Sequence, residues 1–290
     1  MSVVDYKEYN FKLFKKLSEC LNNHTDFIKE SMIKDITSLG FSKKEAFKML
    51  FASLLDFDIV DNREDQFIYN EYFDEMIELL KVNEYLNNDY YKNISFNNKK
   101  IGNCELKYDN YKPYEAFIFD DIVLKAKGKQ IPKIGFFDKK FIYPAVYENN
   151  RLWMSVTPNE INTMKDDIDS AFGNVLTFGL GLGYFQYMCS LKENVRSIVI
   201  VEKNKEIIRL FSEYILKQFE YKDKITIINI DAFKYLEEDM GKGNFDYVYV
   251  DLWHDVSDGL PMYEKIKGYE YKLPMAKFRY WIEKSMLCYK

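Results

Sequence analysis

The second half of the chain alternates between short apolar runs and segments with helical periodicity. Four apolar runs, at about 174–179, 197–202, 224–230 and 245–251, contain little polar alternation. Such runs are typical of strands buried on both faces of a parallel sheet, and helical spacers between them fit right-handed βαβ connections. The pattern therefore predicts an α/β fold whose Rossmann-like parallel sheet has the strand order 3-2-1-4.

The end of the chain predicts that this sheet is shortened. Only 39 residues follow Asp251, and they contain no clear buried strand, because residues 277–288 show helical spacing. The edge beside the fourth strand then needs a cover, which a helix, the preceding β-rich region or another subunit supplies. We expect a homodimer.

The first half of the chain has a different pattern of apolar and polar residues. Its early segments have helical spacing, with Gly40 ending one helix and Ser42 and Glu45 forming the capping box of the next. Short β runs follow, and Thr157 and Glu160 then mark another helix start. The predicted domains are a helical N-terminal lobe at 1–95, a β-rich region at 96–157 and the Rossmann-like domain at 158–290.

Composition indicates a folded protein of the cell interior. With 290 residues, of which 47% are hydrophobic, the chain can bury a substantial core. The four cysteines share no short spacing and the two histidines lie far apart, so we predict reduced thiols and no metal site. The chain shows no apolar signal core and no membrane-spanning run, which predicts a cytoplasmic protein without membrane association.

Charge argues against a general nucleic-acid binder. The formal net charge is −5, whereas nucleic-acid binding depends on neutralising phosphates. One basic and aromatic stretch is an exception that resembles a strip for RNA or an acidic partner. We interpret it instead as the solvated faces of β-hairpins. Its residues are Lys125, Lys127, Lys129, Lys133, Phe136, Phe137, Lys139, Lys140 and Phe141.

A glycine turn after the first strand is the strongest sign of a ligand site. Gly179, Gly181 and Gly183 let the backbone turn tightly between a strand and a helix. Glu202 ends the next strand 19 positions after Gly183, near the spacing at which a carboxylate accepts the hydroxyls of a ribose. The alternative is a glycine-rich turn that binds nothing.

Two further acidic residues follow buried strands. Asp231 begins a helix after the third strand and is expected to cap it. Asp251 ends the fourth strand at the edge where open parallel sheets bind their ligands.

The glycine spacing resembles the first motif of class I S-adenosylmethionine (SAM) dependent methyltransferases. Dinucleotide-binding folds use G-x-G-x-x-G, whereas this chain has G-x-G-x-G with Tyr184 where the last glycine would fall. The resemblance implies that SAM lies against the glycine loop. It also implies that the adenine contacts Asp231, Ala232 and Phe233. Thr177 departs from the family, which usually has an acidic residue there, and this implies a rearranged contact to the ammonium group of SAM.

The C-terminal half also resembles the spermidine-synthase-like branch of that superfamily. In that branch the fourth strand ends in an aspartate that handles an amine, and Asp251 matches it. The second acidic position of the branch falls on His254 here, with Asp255 one step later. We expect Asp251 to be the base or to orient the acceptor. His254 is an alternative base, although a histidine after a strand is as often a surface loop residue. Trp253 and Asp255 would line the acceptor pocket, although a polar strand-to-helix loop explains Asp255 equally well.

These patterns leave three functions open. The leading hypothesis is a SAM-dependent methyltransferase acting on a small-molecule acceptor, such as an amine. The second is an aminopropyltransferase using decarboxylated SAM, and the third is a SAM-binding protein without catalysis. The acceptor itself cannot be read from the sequence, because no motif marks its pocket.

Overall fold

The computed structural model describes residues 5–288, which form thirteen α-helices and twelve strands besides short 3₁₀ and π segments. The helices are α1 (Lys7–Asn23), α2 (Glu30–Thr37), α3 (Lys43–Leu54), α4 (Arg63–Met76), α5 (Val82–Leu86), α6 (Asp89–Asn93), α7 (Pro158–Thr163), α8 (Lys165–Ser170), α9 (Tyr184–Ser190), α10 (Lys205–Leu210), α11 (Ala232–Glu238), α12 (Val256–Lys267) and α13 (Glu283–Leu287). The strands are β1 (Ile77–Leu80), β2 (Lys99–Ile101), β3 (Cys104–Tyr111), β4 (Phe117–Leu124), β5 (Gln130–Phe137), β6 (Phe141–Glu148), β7 (Arg151–Ser155), β8 (Gly173–Phe178), β9 (Val195–Glu202), β10 (Ile225–Asn229), β11 (Tyr247–Val250) and β12 (Lys277–Tyr280).

The chain divides into two compact units, each built from two segments. The first unit contains residues up to Glu84 together with Asn110–Ile142, and the second contains Tyr85–Asp109 together with residues from Tyr143 onward. The sequence predicts three consecutive domains, whereas these units interleave along the chain. Strands that are neighbours in sequence join different sheets, which a reading of consecutive segments does not reveal.

The first unit packs helices against a small sheet of order β1-β5-β4. Helix α3 begins at the expected capping box, because the Ser42 hydroxyl accepts from Glu45 N and the Glu45 carboxylate accepts from Ser42 N. The ring of Phe47 stacks on Phe136 at 3.8 Å between centroids.

The basic and aromatic stretch is not an exposed strip for nucleic acid. Its three phenylalanine rings, Phe136, Phe137 and Phe141, are fully buried and cannot stack on bases. Lys125 and Lys129 form ion pairs with Glu75 and Glu71.

The second unit contains a parallel sheet of five strands in the order β10-β9-β8-β11-β12. The four strands expected from the apolar runs correspond to β8, β9, β10 and β11. The expectation that no strand follows the fourth is wrong, because β12 pairs in parallel with β11 from Tyr247–Lys277 to Val250–Tyr280. Strand β12 therefore covers the β11 edge, which removes the reason for expecting that a second subunit covers it.

Strand β12 was missed because it is short and half polar. Lys277 and Arg279 alternate with Phe278 and Tyr280, as suits a strand at a sheet edge. Ile282 then adopts a left-handed conformation, with φ of 48°, and separates the strand from α13. The apolar residues of this four-residue strand and the five-residue helix after it happen to follow the spacing of a single helix.

The two faces of the parallel sheet bury separate cores. Tyr247 and Tyr249 of β11 face the side that also holds α9, where the Phe185 ring stacks on Tyr249 at 3.9 Å. Val248 and Val250 face the other side, with α11 and α12. Both faces are therefore apolar, and polar side chains of these strands concentrate at the strand ends.

A four-stranded sheet has the order β2-β3-β6-β7. The β6–β7 hairpin turns at Asn149 and Asn150, whose φ angles of 52° and 63° are those of a primed two-residue turn. Within residues 5–288, every helix is too short or too polar to cross a lipid bilayer.

Candidate functional site

The glycine loop connects β8 to α9, and the chain itself requires each of its three glycines. All three have positive φ, namely 96°, 51° and 72° for Gly179, Gly181 and Gly183. Cβ atoms added there would lie 2.0 Å from Asp251 O, 1.7 Å from Met154 Sδ and 2.2 Å from Phe211 Cε2 respectively. The glycines are thus explained by backbone conformation and internal packing, so a ligand must be argued from other groups.

The strand ends around this loop are tied to one another by backbone hydrogen bonds. Gly179 N donates to Val201 O at 3.0 Å, and Asp251 N donates to Phe178 O at 2.9 Å. These bonds hold the ends of β9, β8 and β11 at one edge of the sheet. Glu202 and Asp251 therefore flank the glycine loop, as parallel topology predicts.

Thr177 is completely buried beneath the loop. Its hydroxyl accepts a hydrogen bond from Gln186 Nε2 at 3.1 Å, and the same amide donates to Gly179 O at 3.1 Å. Gln186 itself is buried. The pair holds the start of α9 to the end of β8 and leaves Thr177 no route to a ligand.

Glu202 ends β9, and its carboxylate is held by backbone groups. Leu180 N donates to Oε2 at 3.2 Å, and Asn204 N donates to Oε1 at 2.7 Å. Burial raises the pKa of this carboxyl above its usual range, while the backbone hydrogen bonds act in the opposite direction. A carboxylate oxygen can accept more than one hydrogen bond, so the Glu202 carboxylate retains acceptor capacity.

Asp231 caps α11, as expected from the sequence. Its Oδ1 accepts from Phe233 N at 2.9 Å and Lys234 N at 3.2 Å. Among the described residues, Oδ2 has no hydrogen-bond donor. Ala232 is the first residue of the helix, and the ring of Phe233 is covered by Lys265 Nζ at 3.9 Å from its centroid.

Asp251 follows β11 and belongs to a pair of carboxylates that the sequence did not indicate. Burial first, and then the charge of Glu160, raises the pKa of Asp251 to about 8. Burial also raises the pKa of Glu160. In the part of the chain that the structure describes, no Lys, Arg or His lies in ion-pair distance of either carboxylate.

Tyr249 was likewise missed, because it reads as one apolar residue of a buried strand. It precedes Asp251 by two positions on the same face of β11 and is 1% exposed. Within the described residues its hydroxyl has no hydrogen-bond partner, and burial first, then the charge of Asp251, raises its pKa.

The loop after β11 holds the remaining predicted residues, and most of their polar groups serve α12. Asp255 caps this helix by accepting from Ser257 N at 2.7 Å, and the Ser257 hydrogen bonds lower the pKa of Asp255. His254 N donates to Asp258, and the His254 ring lies 6.0 Å from that of Trp153. Trp253 is buried against Gly259, and its Nε1 has no hydrogen-bond partner among the described residues.

The glycine loop also depends on a residue far away in the sequence. Tyr90 of α6 is fully buried, and its hydroxyl donates to Leu182 O at 2.7 Å.

A cleft of about 340 Å³ lies at the other end of α9 and contains none of the predicted site residues. Its lining residues are Asp89, Asn93, Tyr187, Leu191, Gln218 and Glu220.

Comparisons with known proteins identify no family for this chain. No protein-family model matches it, and no curated protein matches it. Among solved structures, it is similar to the crystal structure of a putative O-methyltransferase from Klebsiella pneumoniae, with 17% identity and a TM-score of 0.27. The match covers 36% of this chain and 44% of that one, so less than half of that structure is represented. A likeness of this strength says nothing about what the chain binds.

Proposed function

We propose that this protein is a SAM-dependent transferase, most simply a methyltransferase, with its cofactor at the C-terminal edge of the parallel sheet. One observation carries the proposal. At that edge, the glycine loop and the carboxylates of Glu202, Asp231 and Asp251 stand at consecutive strand ends. This is the place and the type of donor set expected for a nucleoside bound by an open α/β sheet.

The hydrogen-bond acceptors at this edge match the donor groups of an adenosine. Glu202 offers two held oxygens to the hydroxyls of a ribose, since hydroxyl groups donate and a carboxylate only accepts. Asp231 offers Oδ2 to the amino group of an adenine, while Oδ1 stays with the helix cap. Ala232 N lies at the start of α11 and would donate to a ring nitrogen.

Methyl transfer needs alignment more than acid or base strength. SAM supplies an activated methyl group on a sulfonium, and the protein places the nucleophile in line and excludes water. Asp251 would accept the proton of the acceptor or orient it. A carboxyl whose pKa is about 8 is poised for this role near neutral pH.

Calorimetry with SAM, its demethylated product and decarboxylated SAM tests the proposal. Glu202→Ala should weaken SAM binding by at least about tenfold, because it removes charge-assisted hydrogen bonds to the ribose. Glu238→Ala, which removes an exposed carboxylate at the end of α11, should leave the affinity unchanged.

The three ligands also separate the alternatives. A preference for decarboxylated SAM would favour aminopropyl transfer, and binding without turnover across amine, phenol and RNA acceptors would favour a non-catalytic protein. Absence of heat with all three ligands would refute the cofactor site.

A further inference from the structure

The departure at Thr177 raises the question of which group faces the ammonium end of SAM. The Thr177 side chain is buried under the loop, and moving its hydroxyl toward the site would break its hydrogen bond with Gln186. Strand β8 therefore supplies no carboxylate to the site. The compensating charge must come from another element.

Helix α7, which carries Glu160, lies beside the glycine loop at the end of β11. Met154 of β7, the strand that leads into α7, packs against Gly181. Thr163 of α7 accepts a hydrogen bond from Trp281 Nε1 at 2.9 Å, and Trp281 N donates to Val250 O, directly before Asp251. Burial first, and then the charge of Glu160, raises the pKa of Asp251.

Helix α7 holds Glu160 there through a capping box, in which Thr157 N donates to Glu160 Oε2 at 2.9 Å. The Thr157 hydroxyl donates to the same oxygen, and Ser155 also bonds the carboxylate.

The Glu160 and Asp251 carboxylates lack a positive partner in the described chain, and holding two such charges near one another in a partly buried place is unfavourable. Two other acidic side chains of this unit do have positive partners, since Asp167 pairs with Arg279 and Asp246 with Arg196. The buried and unpartnered hydroxyl of Tyr249 borders the same place. A bound cation with N–H donors would satisfy these groups.

We propose that Glu160 binds the ammonium group of the methionine part of SAM, in place of a carboxylate at position 177. This inference rests on the proposed function. It assigns a ligand contact to α7, which precedes the sheet, and leaves Asp251 to the acceptor.

The test compares ligands with and without the ammonium group by calorimetry. Glu160→Gln should weaken SAM and decarboxylated SAM by about tenfold or more, since both carry the ammonium group. Methylthioadenosine lacks it, so its affinity should change by less than about twofold. Glutamine also serves at the third position of a capping box, so the variant should keep the wild-type melting temperature.

Thr177→Val is the matched control, because it alters the position at which the family pattern places the carboxylate. It should leave the ratio of the SAM and methylthioadenosine affinities unchanged. An equal loss of all three ligands in Glu160→Gln would mean that Glu160 acts only through structure, and a changed ratio in Thr177→Val would place the contact at β8. Either result overturns this inference while the SAM site stands. Failure of the wild-type protein to bind any of the three ligands overturns the proposed function and this inference together.

Discussion

The acidic residues at the strand ends differ in what neutralises them. Glu202 is held by two backbone N–H groups and Asp231 by the start of α11. Asp251 has no such backbone donors, and its neighbour Glu160 is also acidic. A carboxylate left in this condition reduces stability, and such groups concentrate at functional sites.

Asp251 gives a prediction about pH and stability. Its pKa is about 8 in the folded protein against 3.8 for the ordinary group, so the folded state holds the proton more tightly. The resulting stability is complete below about pH 4 and is lost as the pH rises through about 8. Asp251→Asn removes this titration. Its free energy of unfolding relative to wild type should therefore increase between pH 5 and pH 8.5 by at least about 1 kcal/mol.

Denaturant unfolding at several pH values measures this difference. Asp255→Asn serves as the control, because the pKa of Asp255 is lowered and its contribution is lost only in acid. A difference between Asp251→Asn and wild type that stays constant from pH 5 to pH 8.5 would show that Asp251 titrates normally.

At the scale of elements, local signals in the sequence predicted more than contacts between distant segments. The apolar runs predicted four strands, and the capping boxes at Ser42 and Thr157 predicted two helix starts, because both depend on adjacent residues. Strand β12 was missed because its alternation is polar. Glu160 and Tyr90 were missed at the site because folding, not sequence spacing, brings them to the glycine loop.

Strand β12 gives a prediction about the sheet edge. Lys277 N donates to Asp246 O at 3.0 Å and Trp281 N to Val250 O at 3.0 Å, so alternation directs the Arg279 N–H toward β11 and the Phe278 N–H away from it. Arg279→Pro should be about 1–3 kcal/mol less stable than Arg279→Ala, because a ladder hydrogen bond is lost.

Phe278→Pro is the paired comparison and should differ little from Phe278→Ala, since its N–H faces the open edge. Denaturant unfolding of the four variants gives both differences. If proline lowered the free energy of unfolding relative to alanine equally at the two positions, the pairing of β12 with β11 would be contradicted.

At the scale of the molecule, the core of the α/β unit draws on both of its segments. Tyr90, Cys104 and Leu106 come from the first segment and are buried with Val175 and Ile198 of the parallel sheet. The sheet is therefore not complete as a folding unit within the C-terminal residues alone.

A fragment of residues 158–290, the domain expected from sequence, should consequently not fold. It would expose the apolar surface that Tyr90 and Leu106 cover, and it would lose the Tyr90 bond to Leu182 O. Circular dichroism should show no cooperative melting for the fragment, whereas the full chain should melt cooperatively. A sharp transition in the fragment would mean that the first segment is dispensable.

The interleaved order of the two units has a consequence for biosynthesis. All residues of the first unit have been made once residue 142 is added, while residues 143–290, at least 148 more, have still to be added. At about 5–20 residues per second, that leaves on the order of ten seconds or more. Throughout this interval Tyr85–Asp109 is tethered at both ends to segments of the first unit, and its apolar side chains still lack the sheet that will bury them. The nascent chain should therefore need a chaperone most at this stretch, well before the parallel sheet exists.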